Sequence, residues 1–260
     1  VSSNLKTGAQ PIRVLTRKSA LALRQSELAV DYLKERMPEA SFEIIPMSTT
    51  GDERLQWSLE TEGGKGLFTS ALEEALREGM GDLAVHSAKD LPTELGEGLV
   101  IAGYLPRARA NDVLVVHESV EQPRSIATGS PRRRAQLKLH YPDVEWMEIR
   151  GNVETRLRKI SEGYADATVL ALAGLERLQI TDWPGLRFEI LPLEVSIPAA
   201  GQGAIALQSR VAEASNYSVY LCEETAKAVT AEKAFLASQG GGCHTAVAAH
   251  FVDGRLFTFA

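Results

Sequence analysis

The chain has 260 residues and a mass of 28.2 kDa, room for one to three domains; 44% hydrophobic and 24% charged residues exclude a disordered chain. A net charge of -6 argues against coating by nucleic acid, and no apolar run reaches the ~18 residues that span a bilayer. Two cysteines, Cys222 and Cys243, are too few for a disulfide scaffold and fit a reducing compartment. Val1 to Gln10 holds no apolar signal core, so a cytoplasmic address is expected. The first residue is Val, not Met, which leaves room for a removed transit segment and an organelle stroma.

In chain order, Ile12 to Thr16 is a β-branched run and predicts a strand. A helix follows from about Ser19 to Met37, with Ala22, Ala29, Leu33 and Met37 on one face and Pro38 as its stop. Phe42 to Met47 predicts the next strand, Gly63-Gly64-Lys65-Gly66 opens a helix to about Arg77, and Asp82 to His86 is a third strand. Val113 to His117 and Ser125 to Thr128 read as strands. Ser130-Pro131 is a helix start, with Ser as N-cap and Pro at the first helical position. Val144 to Ile149 reads as a strand, Asn152 caps a helix to about Glu162, and Asp166 to Ala171 is another strand. Pro192 to Gly203 reads as a connection. A helix from Glu223 to about Ser238 and the alternating stretch Val247 to Phe259 make a small α+β tail. The alternation predicts α/β architecture with mostly parallel strands, in two sets that suggest two lobes.

Charge is concentrated. Arg124 to Lys159 holds nine basic and four acidic residues, against 19 and 30 in the remainder, which points to a focused anion site. Arg132-Arg133-Arg134 stands in the first turn of a helix, where cations do not help the helix dipole. With Arg150 and Arg156 they suit recognition of several carboxylates or phosphates; a solvated basic face paired with Glu145, Glu148 and Glu154 is the competing reading. His86-Ser87-Ala88-Lys89-Asp90 follows a strand, at the end where open α/β sheets bind ligands; a turn Asp beside a surface Lys is its plainer explanation. Gly63-Gly64-Lys65-Gly66 is not a Walker A loop, and Gly201-Gln202-Gly203-Ala204-Ile205-Ala206 matches a dinucleotide fingerprint ending in Ala only formally, in the wrong place. Gly240-Gly241-Gly242-Cys243-His244 exposes a thiol as nucleophile, attachment point, metal ligand or inert group. A zinc site is disfavoured for want of ligands, and no metal is expected. His117 and His140 are read as structural.

Together these segments resemble the porphobilinogen deaminase (hydroxymethylbilane synthase) family. The matching stretches are Thr16-Arg17-Lys18-Ser19, Gly63-Gly64-Lys65-Gly66-Leu67-Phe68, Ala84-Val85-His86-Ser87-Ala88-Lys89-Asp90-Leu91-Pro92, Arg150-Gly151-Asn152-Val153, Ala173-Gly174-Leu175 and Pro198-Ala199-Ala200-Gly201-Gln202-Gly203. Thr230-Ala231-Glu232-Lys233-Ala234-Phe235-Leu236 and Gly241-Gly242-Cys243 continue them in family order.

The resemblance implies two periplasmic-binding-protein-like α/β lobes and a small α+β C-terminal domain: 12–105 with 196–220, 106–195, and 221–260. It implies a transferase of tetrapyrrole and heme biosynthesis. Four porphobilinogens are deaminated and joined head to tail on a covalent dipyrromethane cofactor, releasing hydroxymethylbilane and ammonia. Cys243 is the implied thioether attachment point and Asp90 the implied catalytic carboxylate, stabilising positive charge in the azafulvene rather than merely passing protons. Arg17, Ser19, Lys65, Ser87, Lys89, Ser130, Arg132, Arg133, Arg150 and Arg156 are the implied contacts of the pyrrole acetates and propionates. A monomer is expected, with porphobilinogen and its oligomers as partners and neither nucleic acid nor membrane. Thr61-Glu62, Pro131 and His244-Thr245-Ala246 depart from the family pattern, and Ala260 falls short of its usual end. The competing class is a non-catalytic, periplasmic-type binder of a small polycarboxylate anion, which leaves the glycine-flanked thiol unexplained.

Overall fold

The computed structural model describes residues 10–48, 69–93, 95–240 and 245–260. The chain divides into two compact units. Unit 1 takes the described residues up to Arg107 together with Ala204–Lys227; unit 2 takes Ala108–Gly203 and Ala228–Ala260. The tail beyond Ala228 therefore packs with unit 2.

Unit 1 is built on strands β1 (Ile12–Arg17), β2 (Phe42–Met47), β3 (Leu83–Ser87), β4 (Leu99–Tyr104) and β10 (Ile205–Arg210), in the order β2-β1-β3-β10-β4. β1 pairs parallel with β2 and β3, whereas β10 runs antiparallel to β3 and β4. One strand in five is thus reversed, and it is contributed by chain that returns after unit 2. Helix α1 (Ala20–Lys34) lays Ala29, Val30 and Leu33 against Val14, Leu83, Val85 and Leu207 on one sheet face. Helix α2 (Ser70–Arg77) covers the other face, packing Leu72, Ala75 and Leu76 on Leu15 and Ala84. Alternation along the strands assigns Val14 and Leu15 to opposite layers. α1 stops three residues before Met37, yet Met37 stays in the core because its N–H bonds the Leu33 carbonyl at 2.7 Å.

Unit 2 repeats the plan with β5 (Asp112–His117), β6 (Ser125–Ala127), β7 (Glu145–Met147), β8 (Ala167–Ala171) and β9 (Leu186–Ile190), in the order β7-β6-β8-β5-β9. β5 is the reversed strand, antiparallel to β8 and β9. Its run Val113-Leu114-Val115-Val116 is wholly buried because both faces are covered. Val113 and Val115 meet Leu157 and Ile160 of α4 (Val153–Ser161) and Leu172 and Leu175 of α5 (Leu172–Arg177). Leu114 and Val116 meet Leu137 of α3 (Pro131–Leu137). Each such fully buried leucine contributes about 1.5–3 kcal/mol.

A short helix, α6 (Ser215–Ser218), precedes the long helix α7 (Glu223–Ser238). The tail ends in a hairpin of β11 (Ala248–Val252) and β12 (Arg255–Phe259). Its two turn residues, Asp253 and Gly254, have φ of 51° and 73°, the left-handed pair that a tight hairpin turn requires. The α/β class expected from the sequence, two lobes with a small α+β tail, is the observed one. Among the described residues no helix is long and apolar enough to cross a membrane.

Candidate active site

In unit 1 the parallel register Val14↔Leu83 and Leu15↔Ala84 brings the carboxyl ends of β1 and β3 to one sheet edge. Arg17 ends β1, and Ser19 caps α1, its hydroxyl accepting the Ala22 N–H at 3.4 Å. At the end of β3 the Ser87 hydroxyl and the Gln25 side-chain amide of α1 exchange hydrogen bonds at 2.9 and 3.2 Å. A single 3-10 turn, Ala88–Asp90, follows. Its start is fixed because Ala88 is buried and donates its N–H to the Ala204 carbonyl at 3.0 Å. The turn leaves Lys89 half-buried and Asp90 exposed. Arg17, Ser19, Ser87, Lys89 and Asp90 therefore share one edge of unit 1.

His86, just inside that edge, is buried, and burial lowers its pKa to about 4; the nearby Arg17 cation pushes the same way and a Gln208 hydrogen bond opposes it. An imidazole so placed is neutral and supports the strand end without adding charge to it.

In unit 2 strands β6, β7 and β8 run parallel, so their carboxyl ends also share an edge. From it start α3, α4 and α5. Ser130 caps α3 by accepting the Arg133 N–H at 3.4 Å, and Asn152 caps α4 by accepting the Thr155 N–H at 2.8 Å. Arg156 donates Nε to the Gly151 carbonyl at 2.8 Å, and Arg150 stands 3.9 Å from Glu148, whose other oxygen holds Arg134.

Arg132 and Arg133 are neither a solvated face nor open forks. Both are buried, at 5% and 7% exposure, and both grip Asp112 of β5. Burial is the first cause lowering the Arg132 pKa, with Asp112 opposing and Arg133 reinforcing the shift. Burial, the largest single influence on Asp112, pushes its pKa up, but the two guanidiniums together with the Arg133 and Gln202 hydrogen bonds outweigh it and hold the carboxyl far below its usual range. Nothing near Arg132-Arg133 in sequence announces a partner twenty positions earlier.

Arg177, at the end of α5, was not among the sequence candidates. Burial lowers its pKa to about 10, and it donates to the Gly203 carbonyl at 2.6 Å. Among the described residues it has no ion pair. Its signal was available: a cation two positions after Ala173-Gly174-Leu175. Gly203, in the Gly201-Gln202-Gly203 segment, has φ +83°, and a Cβ there would lie 2.4 Å from the Ala108 carbonyl oxygen. The segment leads into strand β10, not a helix, and so is no dinucleotide turn. Lys65 and Cys243 lie outside the described residues.

Residues 12–217 match the family model described as porphobilinogen deaminase, dipyromethane cofactor binding domain. The chain belongs to the porphobilinogen deaminase family. It is 40% identical to the porphobilinogen deaminase of Brevibacillus brevis, over 94% of this chain and 80% of that protein. It is 42% identical to that of Geobacter sulfurreducens, over 92% and 76%. Similar solved structures include the Bordetella pertussis BvgS periplasmic VFT2 domain (TM-score 0.47, 17% identity, 85% of this chain and 92% of that one). The BenM effector binding domain with its effector benzoate is another (TM-score 0.47, 17% identity, 88% and 93%). The family match reaches both sheet edges described above, and so takes in Arg17, Asp90, Arg150, Arg156 and Arg177 within the cofactor binding domain. Cys243 follows the matched residues.

Proposed function

We propose that the protein is a porphobilinogen deaminase, a transferase of tetrapyrrole biosynthesis that joins four porphobilinogens head to tail and releases hydroxymethylbilane and ammonia. The match of residues 12–217 to the family's cofactor binding domain carries this reading. The same reading divides the chain into 12–105 with 196–220, 106–195 and 221–260, and makes it a cytoplasmic monomer.

The side chains present fit a dipyrromethane. That group is a polycarboxylate, and both sheet edges carry cations. In unit 2, two buried arginines share one carboxylate, and Arg177 is part-buried without an ion pair among the described residues. When bound, the dipyrromethane supplies the tethered pyrrole end onto which the chain is built.

The roles of the chain's own residues follow from their chemistry. Cys243 is the thioether anchor. Arg17, Ser19, Lys65, Ser87 and Lys89 hold acetates and propionates from unit 1, and Ser130, Arg132, Arg133, Arg150 and Arg156 from unit 2. Asp90 is exposed at a strand end and carries the charge opposite to its surroundings. It faces pyrrole N–H groups and stabilises the positive charge that develops as ammonia leaves porphobilinogen.

The test is the intact mass of the denatured protein expressed where porphobilinogen is available. The wild type and Cys222→Ser should carry the added mass of a dipyrromethane, and Cys243→Ser should not. Wild-type protein of bare polypeptide mass that also leaves added porphobilinogen unconsumed would overturn the reading.

A further inference from the structure

Asp112 opens β5 and is fully buried. Its Oδ1 accepts from Arg133 Nε at 3.1 Å, Arg133 Nη2 at 2.7 Å and Gln202 Nε2 at 2.8 Å. Its Oδ2 accepts from Arg132 Nη2 at 2.8 Å and Ser196 Oγ at 2.9 Å. A carboxylate offers about four lone-pair directions, so this one is saturated. The far ends of the guanidiniums are fixed as well: Arg132 Nη1 donates to the Ile197 carbonyl at 2.6 Å and Arg133 Nη1 to the Val169 carbonyl at 2.7 Å. One side chain thus ties β5, the start of α3 and the 196–202 connection together.

Charge makes this more than a structural clasp. Two cations and one anion leave a buried positive charge that Asp112 does not cancel. Burying an uncompensated charge is costly, and an apolar cluster of the same volume would stabilise the fold as well or better. An arriving carboxylate removes that cost and meets cations that need no reorganisation.

We propose that Asp112 is the positioning residue for anion recognition in unit 2: it holds Arg132 and Arg133 as a preassembled cation pair with one positive charge left to receive a pyrrole carboxylate. This rests on the proposed function, because it takes the pyrrole carboxylates as the anions. In Asp112→Asn the two guanidiniums repel without a common anchor, and the amide group turns a donor toward one of them. In Ser196→Ala the charges remain but Oδ2 loses one of its two donors.

The experiment has three readouts on folded protein: the Nε–H resonances of the arginines by NMR, cofactor loading by intact mass, and steady-state kinetics with porphobilinogen. Asp112→Asn should shift and broaden the Arg133 Nε–H signal, lower cofactor loading, and raise KM at least ~10-fold with a smaller change in kcat, as expected for a lost charge-assisted contact. Ser196→Ala should raise KM about 3-fold or more at similar kcat. Should Asp112→Asn fail to fold, Ser196→Ala decides. A folded variant with a displaced Arg133 signal but wild-type KM and loading makes Asp112 merely structural and overturns the proposal, as does a wild-type signal in Asp112→Asn. Wild-type protein that consumes no porphobilinogen overturns the functional reading instead, and the NMR result then still reports whether Asp112 holds the arginines.

Discussion

Nε2 of His86 and Oε1 of Gln208 lie 3.0 Å apart in the buried centre of unit 1. Gln208 donates its Nε2 to Glu73 at 3.1 Å, so its oxygen is the end that faces the imidazole. His86 must then carry a proton on Nε2, and burial, which lowers its pKa to about 4, keeps the ring neutral. A strand of unit 1 that arrives from the far end of the chain is thereby matched to the strand that carries the Ser87–Asp90 turn.

Stability should consequently depend on acid in a defined window. The His86 pKa is about 4 in the folded protein and near its ordinary 6.5 when unfolded. Between those values the unfolded chain binds the extra proton, so stability rises with pH there and is lost as pH falls from 6.5 toward 4. The loss is on the order of 3 kcal/mol. Urea midpoints measured from pH 4 to 7 should show this slope in the wild type and a flatter one in His86→Gln. Equal slopes would remove His86 as the cause.

Asp90 should be needed for its charge and not for folding. It is exposed, and among the described residues its side chain makes no hydrogen bond or ion pair. Substitution there should change stability by no more than about 0.5 kcal/mol. Asp90→Asn keeps the shape and removes the charge, so porphobilinogen consumption by cofactor-loaded protein should fall at least ~100-fold. Asp90→Glu keeps the charge one methylene further out and should retain more activity than Asn. An Asn variant as active as wild type would show that the carboxylate charge is not required.

Gly203 should be far less replaceable than Gly163, although both have left-handed backbones, with φ of +83° and +80°. A Cβ at Gly163 meets nothing within 4 Å, whereas one at Gly203 would lie 2.4 Å from the Ala108 carbonyl oxygen. Gly163→Ala should cost only the conformational strain, about 1 kcal/mol. Gly203→Ala should cost roughly 1–3 kcal/mol more, because backbone must move. It should also weaken the Arg177 contact, since that guanidinium is held by the Gly203 carbonyl. Equal melting temperatures for the two variants would refute the steric account.

What could be read from the sequence was what local chemistry dictates. Ser130-Pro131 and Asn152 start helices where expected, because a capping oxygen and a fixed proline φ act within one turn. β10 was missed because Gln208 and Ser209 are buried polar residues that break any alternation, and Gln208 is buried only to bridge His86 and Glu73. α5 was hidden in the apolar run from Ala165 to Leu175; the strand turns into helix at Leu172 with no side-chain cap at Ala171. Both reversed strands depend on pairing across long stretches of chain, which periodicity does not encode. For the site, residue type and position located Ser87, Lys89 and Asp90 at a strand end and Arg150 and Arg156 at the start of α4. The burial of Arg132 and Arg133 was illegible, since their shared partner lies on another strand.

Glu232 should fasten the C-terminal hairpin and the Gly201-Gln202-Gly203 segment to α7. It sits on α7 with no exposed surface, although glutamate is among the residues least often buried. Its two oxygens are used separately: Oε2 accepts the Gly201 N–H and Oε1 the Phe251 N–H, each at 2.7 Å. His250 Nδ1 lies 3.4 Å from Oε1. The carboxylate therefore ties α7 both to the Gly201-Gln202-Gly203 segment and to β11, the strand that follows Cys243. Glu232→Gln preserves size but has a single acceptor oxygen, so one of the two N–H groups, buried at Gly201 and part-buried at Phe251, must face an amide donor. The loss should be about 1–3 kcal/mol and local. Hydrogen exchange should quicken at the Gly201 or Phe251 amide while the Val113–Val116 amides of β5 keep their protection. If Cys243 is the anchor, cofactor loading by intact mass should fall in the same variant, because β11, which follows Cys243 in the chain, loses its fastening to α7. Unchanged exchange at both amides would show that the carboxylate is not what fastens the hairpin to the helix.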